Sequence, residues 1–248
     1  MPNPQVFTAE EIASFRAGGA ILRGCLESLR PLVGPSVTTG ELDVAAETYI
    51  RQHGGRPAFK GYRGFPATLC TSVNEECVHG IPGRRMLNEG DIVKLDCGVI
   101  YDALYTDACI SVPVGRVSPE AAKLLSVTEQ ALEHALAVVH AGAHVGDIGR
   151  AVESFVEAHG FHPVPALTGH GLGRSLHQFP DIPNLGKRGK GPLLPLHTVI
   201  AIEPIISAGS SDVRVGVDGW TLSIADGALA AHFEHSVLVT EEGCEVLA

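Results

Sequence analysis

Asp96 and Asp107 lie in the stretch DIVKLDCGVIYDALYTDACISV, residues 91–112, which otherwise reads as two β-strands. Side chains alternate between the faces of a strand. Val93, Leu95, Cys97 and Val99 therefore share one face, and Leu104, Thr106, Ala108, Ile110 and Val112 continue it. Both aspartates fall on the other face. A turn at Tyr101-Asp102 would set Asp96 directly opposite Asp107 in an antiparallel hairpin, with Cβ atoms about 4.5–5.5 Å apart. Two ionised carboxylates that close repel each other. They must share a proton, pair with a base or hold a cation.

An internal repeat adds more acids. GELDVAAETYIRQHG (Gly40–Gly54) aligns without a gap to GDIGRAVESFVEAHG (Gly146–Gly160), with identities at Gly40/Gly146, Ala45/Ala151, Glu47/Glu153, His53/His159 and Gly54/Gly160. Both copies have helical spacing and end in glycine, a common helix stop. A helix precedes each copy. The first starts near Thr8, where Thr8 and Glu11 form a capping box, and carries the apolar stripe Ile12, Phe15, Leu22, Leu26 and Leu29. The second starts at Ser118-Pro119-Glu120, an N-cap followed by proline in the first turn. The pattern implies an α+β chain of two related halves, 8–112 and 118–248, packed as a single domain over residues 1–248, with a ligand groove between them. The second-half counterpart of Asp96 is then Glu203, inside the apolar strand VIAIEPII. A further strand, AAHFEHSVLV, carries Glu234 on the same face as His232 and Ser236.

Any one of these acids alone reads most simply as an exposed edge or turn residue. Four together, on strands of both halves, do not. The hairpin has no arginine, and Lys94 is its only nearby base. A shared-proton pair needs two carboxylates, so two divalent cations about 3.5–4 Å apart account better for four. Histidines would complete such a site. His170 sits between glycines in TGHGLGRSLHQFP with His177 seven residues on, and His79 precedes the turn Gly-Ile-Pro. Competing motifs are weak: GHGLGR lacks the rest of a nucleotide-binding loop, HFEH is one residue short of H-x-x-E-H, and no G-x-S-x-G occurs.

Composition narrows the function classes. At 248 residues and 45% hydrophobic, the chain can bury a substantial core. A net charge of −10 argues against direct nucleic-acid recognition, which needs a basic face. Its one basic cluster, Lys187, Arg188 and Lys190 among glycines, reads as a solvated loop. The cysteines make neither a disulfide framework nor a zinc cluster. No secretory signal and no run of about 20 apolar residues is present, so a cytoplasmic location with no membrane association is expected.

Across nearly its whole length the chain resembles the type I methionine aminopeptidases. The resemblance rests on TSVNEECVHGIPG, the hairpin quoted above, TGHGLGRSLHQFP, AIEPIISAG and DGWTLSIADGALAAHFEHSVLVTEEGCEVL, in that order. It implies the pita-bread fold, with a dinuclear metal site between pseudo-twofold halves. It implies Asp96 as a two-oxygen ligand of one ion, His170 and Glu203 on the other, and Asp107 and Glu234 as bridges. The ions would be Co, Mn, Fe or Zn. His79, His177 and Glu203 would serve catalysis, with His79 and His177 touching substrate, while Tyr62, Phe65, Cys70 and Trp220 line the methionine pocket. Leu176 and Phe59 replace the family's phenylalanine and cysteine, and Gln178-Phe179 departs from its His-Glu-Glu-Pro. The chain shows no N-terminal zinc-binding extension, and the short Glu203–Glu234 interval leaves no room for the type II insertion. The implied activity removes N-terminal methionine from nascent chains when the second residue is small, a rule that this chain's own Met1-Pro2 start satisfies. A monomer that docks transiently at the ribosome is the implied setting. An Xaa-Pro peptidase or creatinase-like enzyme is the nearest alternative, and a non-catalytic scaffold of the same fold a more distant one.

Overall fold

The computed structural model describes residues 3–248, so Met1 and Pro2 lie outside the described residues. The first half supplies α1 (Ala9–Leu29), α2 (Thr39–Gln52), β1 (Arg56–Pro57), β2 (Leu69–Val73), β3 (Glu76–Val78), β4 (Ile92–Tyr101) and β5 (Leu104–Pro113). The second begins with α3 (Pro119–Leu136), α4 (Val145–Ala158), β6 (His162–Pro163), β7 (Thr168–Gly171) and β8 (Gln178–Pro183). It continues through β9 (Val199–Ile202), β10 (Ile205–Ser207), β11 (Val213–Val215), β12 (Leu222–Ile224), β13 (Ala230–His232), β14 (His235–Val239) and β15 (Cys244–Val246).

The helix pairs repeat as the sequence implies. Thr8 and Glu11 close a capping box at α1, and the Ser118 hydroxyl accepts from the Ala121 N–H ahead of α3. Equivalent positions make equivalent stripes: Leu42, Ala46 and Ile50 in α2 and Ile148, Val152 and Val156 in α4 are all buried. Each such aliphatic side chain contributes about 1.5–3 kcal/mol of burial. The identical histidines of the repeat are structural. His53 Nδ1 meets the Tyr49 carbonyl at 2.8 Å and His159 Nδ1 meets the Phe155 carbonyl at 2.7 Å, so each ties off the last turn of its helix.

Each helix pair covers its own sheet. In the first half, β4 pairs with β1 and β2 along one edge and with β5 along the other. In the second, β15-β14-β9-β7-β8 form a five-stranded sheet and β13-β10-β6 a three-stranded one. Separate apolar cores lie under the two helix pairs, and a third, including Phe7, Phe15, Phe59, Leu172 and Val199, joins the halves.

Two sequence expectations change here. The hairpin loop is Asp102-Ala103, not Tyr101-Asp102; both residues take positive φ (47° and 61°), as a two-residue primed turn requires. Moving the turn by one residue moves every pairing by two. Asp96 therefore faces Cys109, Asp107 faces Gly98, and the aspartates are diagonal neighbours on the same face. The expected single strand around Glu234 is also two strands, β13 and β14, which belong to different sheets. Glu203 occupies the matching break between β9 and β10. Pairings His235↔Ile202 and Ile205↔His232 keep one register through both breaks, which sets Glu203 opposite Glu234.

The halves meet along β5. Cys109 and Glu234 exchange backbone hydrogen bonds at 3.3 and 3.0 Å. On one side of that rung, the Ser236 hydroxyl accepts from the Asp107 N–H (2.8 Å) and donates to the Asp107 carbonyl (2.7 Å). On the other, the Ser111 hydroxyl accepts from the His232 N–H (3.0 Å) and donates to the His232 carbonyl (2.7 Å). Ser236→Ala would strand the buried N–H of Asp107. It should lower the unfolding free energy by about 1–3 kcal/mol in a urea titration, and a loss under about 0.5 kcal/mol would show that the hydroxyl does not hold this seam.

Candidate metal centre and pocket

Every residue expected from the sequence to bind metal, serve catalysis or line the methionine pocket borders one cavity of about 370 Å³ between the halves. Asp96, Asp107, His170, Glu203 and Glu234 line it together with Tyr62, Phe65, Cys70, His79, His177 and Trp220. Asp96 and Asp107 come from adjacent antiparallel strands, Glu203 and Glu234 from the paired strand breaks, and His170 from β7. Asp107, His170 and Glu234 each present a ligand atom within 4.8 Å of the other two. His170 Nε2 lies 3.6 Å from Glu203 and 4.0 Å from Asp107. Two ligands on one ion with bonds of about 2.1 Å stand roughly 3.0–4.2 Å apart. Those separations suit a shared ion and are too long for hydrogen bonds.

Burial governs the electrostatics. It pushes Asp96 up to about 7, with the Cys70 thiol and Asp107 pulling the other way. Burial, reinforced by repulsion from the neighbouring acids, drives Asp107, Glu203 and Glu234 well above the ordinary carboxylate range. No lysine or arginine among the described residues forms a salt bridge to any of the four. Lys94, the base available in the hairpin, spends its ammonium on the carbonyls of Asn74 (2.7 Å) and Ala230 (2.9 Å). Asp96 Oδ1 and Asp107 Oδ1 are buried without a hydrogen-bond partner. Burial also lowers His170 to about 4, so its approaches to the acids are not ion pairs. Its Nδ1 lies 3.0 Å from the Gly171 carbonyl, which fixes the proton there and leaves the Nε2 lone pair facing the acids. Unpartnered carboxylate oxygens and a neutral imidazole facing one another fit divalent cations.

The glycines on either side of His170 serve strand packing. A Cβ at Gly169 would lie 2.3 Å from the Ala201 carbonyl oxygen, and one at Gly171 2.4 Å from that of Phe179. They let β8 and β9 press against β7 on both sides. His79 takes φ = 59°, a left-handed conformation found at many functional sites. The next residue, Gly80, locks it: its carbonyl accepts from the Thr71 N–H (2.7 Å) and its N–H donates to the Ser72 hydroxyl (3.0 Å). His79 is thereby tied through Gly80 to β2, the strand whose Cys70 is the cross-strand partner of Asp96.

The pocket walls are aromatic. The Trp220 and Phe65 rings pack edge to face at 5.2 Å, His79 lies 6.5 Å from Trp220, and the His170 and His177 rings are 4.3 Å apart. Tyr62 Oη meets His177 Nδ1 at 2.9 Å. Phe59 and Leu176, which differ from the family pattern, both face the cavity. Gln178 is absorbed elsewhere: its side chain donates to Gln5 (2.8 Å) and accepts from the Ser175 N–H (3.1 Å). Arg63, Val78 and His232 also line the cavity without having been assigned a role from the sequence. For His232, the available signal was its place two residues before Glu234 on the same strand face.

Comparison with known proteins follows this geometry closely. Residues 13–241 match the model of metallopeptidase family M24. A methionine aminopeptidase of Clostridium perfringens is 43% identical, spanning 96% of this chain and 95% of its own. The crystal structure of methionine aminopeptidase from Thermotoga maritima superposes with a TM-score of 0.97 at 38% identity, covering 98% of both chains. Prolidase from Pyrococcus furiosus shares the fold alone, at a TM-score of 0.79 and 20% identity; this chain spans 64% of it.

Burial makes the acids hold their protons more tightly than ordinary carboxylates, and His170 has no proton to lose at Nε2. Metal binding at pH 7 should therefore release protons from the carboxylates, and apparent affinity should rise with pH. Calorimetric titration of chelator-stripped protein in two buffers of different ionisation enthalpy measures this. Identical heats in both buffers would contradict it.

Proposed function

Because this chain belongs to metallopeptidase family M24, we propose that it removes the N-terminal methionine from peptides and nascent chains, favouring a small second residue. Residues 1–248 act in this reading as one catalytic unit, with the halves 8–112 and 118–248 each lending acids to the site. The observation that carries it is the meeting, in one cavity, of four buried carboxylates and a neutral imidazole with a narrow aromatic pocket. Full-length relatives that bear the name methionine aminopeptidase support it. No helix among the described residues is long and apolar enough to cross a membrane.

Asp96 would hold one divalent ion and His170 and Glu203 the other, with Asp107 and Glu234 available to both. Co, Mn, Fe and Zn all suit a carboxylate-rich set with one imidazole. When bound, the pair supplies an activated water and a Lewis acid for the carbonyl of the first peptide bond. The protein does the rest. Phe59, Phe65, Tyr62, Leu176 and Trp220 enclose an unbranched apolar side chain and exclude water from it. The Tyr62 hydroxyl donates to His177 Nδ1, which leaves the Nε2–H to donate to the oxyanion that develops on the substrate carbonyl. Glu203 carries the proton of the attacking water, and His79, fixed above the site by Gly80, hydrogen-bonds the scissile amide and assists the departing amine. Substrates are met at the ribosome by a monomer; the exposed loop bearing Lys187, Arg188 and Lys190 is the basic surface available for such docking.

Hydrolysis of Met-Ala-Ser and Ala-Pro-Ala by stripped protein, with each metal restored in turn, tests the assignment. The methionine peptide should be cleaved in a metal-dependent manner, and preference for the proline peptide would favour an Xaa-Pro peptidase instead. Asp96→Ala and Glu234→Ala should abolish turnover, and near-normal rates in either would refute the metal roles. His177→Ala should lower kcat by about 10²–10³ with little change in KM, as for loss of one oxyanion donor.

A further inference from the structure

His232 stands at the edge of the acid cluster with nothing to do. It is 2% exposed, and neither ring nitrogen has a hydrogen-bond partner. An unmade hydrogen bond on a buried polar group costs about 1–3 kcal/mol, so a ring left this way marks a missing partner. Its backbone, by contrast, is firmly held. The N–H and carbonyl both bond to the Ser111 hydroxyl, the Cys109 thiol also reaches the carbonyl, and β13 pairs with β10 at Ile205. Such anchoring fixes where the ring points, and it points at the acids: Nε2 lies 3.7 Å from Glu234 Oε2 and 3.9 Å from Glu203 Oε2.

Two roles suit a neutral imidazole there, a further metal ligand or a donor to carboxylates that are themselves ligands. Comparison with His170 separates them. His170 has its Nδ1 proton fixed by the Gly171 carbonyl, so its Nε2 is free to ligate. Metal-binding histidines almost always have such a partner on the other nitrogen. His232 Nδ1 has none. Nothing holds its proton away from Nε2, the nitrogen that faces the acids. Glu203 also has one oxygen toward each ring: Oε1 is the atom near His170, Oε2 the atom near His232. An oxygen turned from the ions needs a donor of its own.

We infer that His232 is a positioning residue for the metal-binding carboxylates, its Nε2–H donating to Glu203 Oε2, the oxygen on the side away from His170. The role rests on the metal assignment proposed above. It sets how firmly the ions are held without adding a ligand to them.

Calorimetric titration of Co²⁺ into chelator-stripped wild type, His232→Gln and His232→Leu tests it, alongside the visible absorption of the Co²⁺-loaded proteins. Loss of an outer hydrogen bond typically weakens metal binding 10–100-fold, so His232→Leu should bind Co²⁺ about 10–100-fold more weakly with unchanged band intensity. His232→Gln keeps a donor and should stay within about threefold of wild type. Wild-type affinity in His232→Leu would overturn the role. So would weakening of both variants with the altered band intensity of a changed ligand number, which marks a direct ligand. Should His232→Leu fail to fold, ¹⁵N spectra of the Zn²⁺-loaded wild type decide: a proton on Nε2 of His232 supports donation, and a bare Nε2 overturns it. No Co²⁺ binding by wild type would bring down the metal assignment itself and this role with it. Weakening confined to His232→Leu leaves that assignment standing.

Discussion

Four buried carboxylates share one cavity in this protein, and no lysine or arginine among the described residues forms a salt bridge to them. Bringing like charges together away from water is among the costliest arrangements a fold can contain. In the absence of cations burial drives every one of them upward, so that the acids answer by holding their protons more tightly. Dications would answer differently, supplying the missing positive charge and taking as ligands oxygens such as Asp96 Oδ1 and Asp107 Oδ1 that lack hydrogen bonds. Much of the surrounding architecture serves to hold these oxygens in place against their own repulsion. The serine rungs at Ser111 and Ser236, the backbone rung between Cys109 and Glu234, and the glycines flanking His170 all act within a residue or two of an acid or of His170.

The two halves reach the same chemical end by different local means. Their helix pairs match closely, from N-caps to terminal glycines. Their strands do not. The first half offers both acids from a hairpin of two uninterrupted ten-residue strands. The second breaks each acid-bearing strand at its glutamate and hands the chain from one sheet to another. A break frees the glutamate from the pleat, so that Glu203 and Glu234 reach the same space that Asp96 and Asp107 enter from intact strands with shorter side chains. Identity within the repeat marks scaffold as much as chemistry, as the paired helix-capping histidines His53 and His159 illustrate.

Charge is also kept apart by design of the hairpin. Lys94 lies on the same face of β4 as Asp96, two residues away, yet its ammonium is satisfied by two backbone carbonyls and burial lowers it to about 8. Its reach toward β13 braces that strand from behind. The acids are left to face the cavity, and the neutral histidines around them add donors and lone pairs without neutralising the charge that a cation would seek.

The sequence by itself determined that the two hairpin acids share a face. Alternation has a period of two, so a turn placed one residue early still left Asp96 and Asp107 on one face; only their pairing moved, from opposite to diagonal. Helix boundaries were legible for the same local reason, since caps, apolar spacing and terminal glycines act within a few residues of chain. What only the tertiary structure decided depends on contacts between distant segments. The sheet exchanges at Glu203 and Glu234 arise because β9–β10 and β13–β14 must pair with each other while one residue also bridges to β5. The free ring of His232 and the carbonyl-bound ammonium of Lys94 follow from the same packing. No local pattern encodes a partner that another element brings, or fails to bring, from more than a hundred residues away.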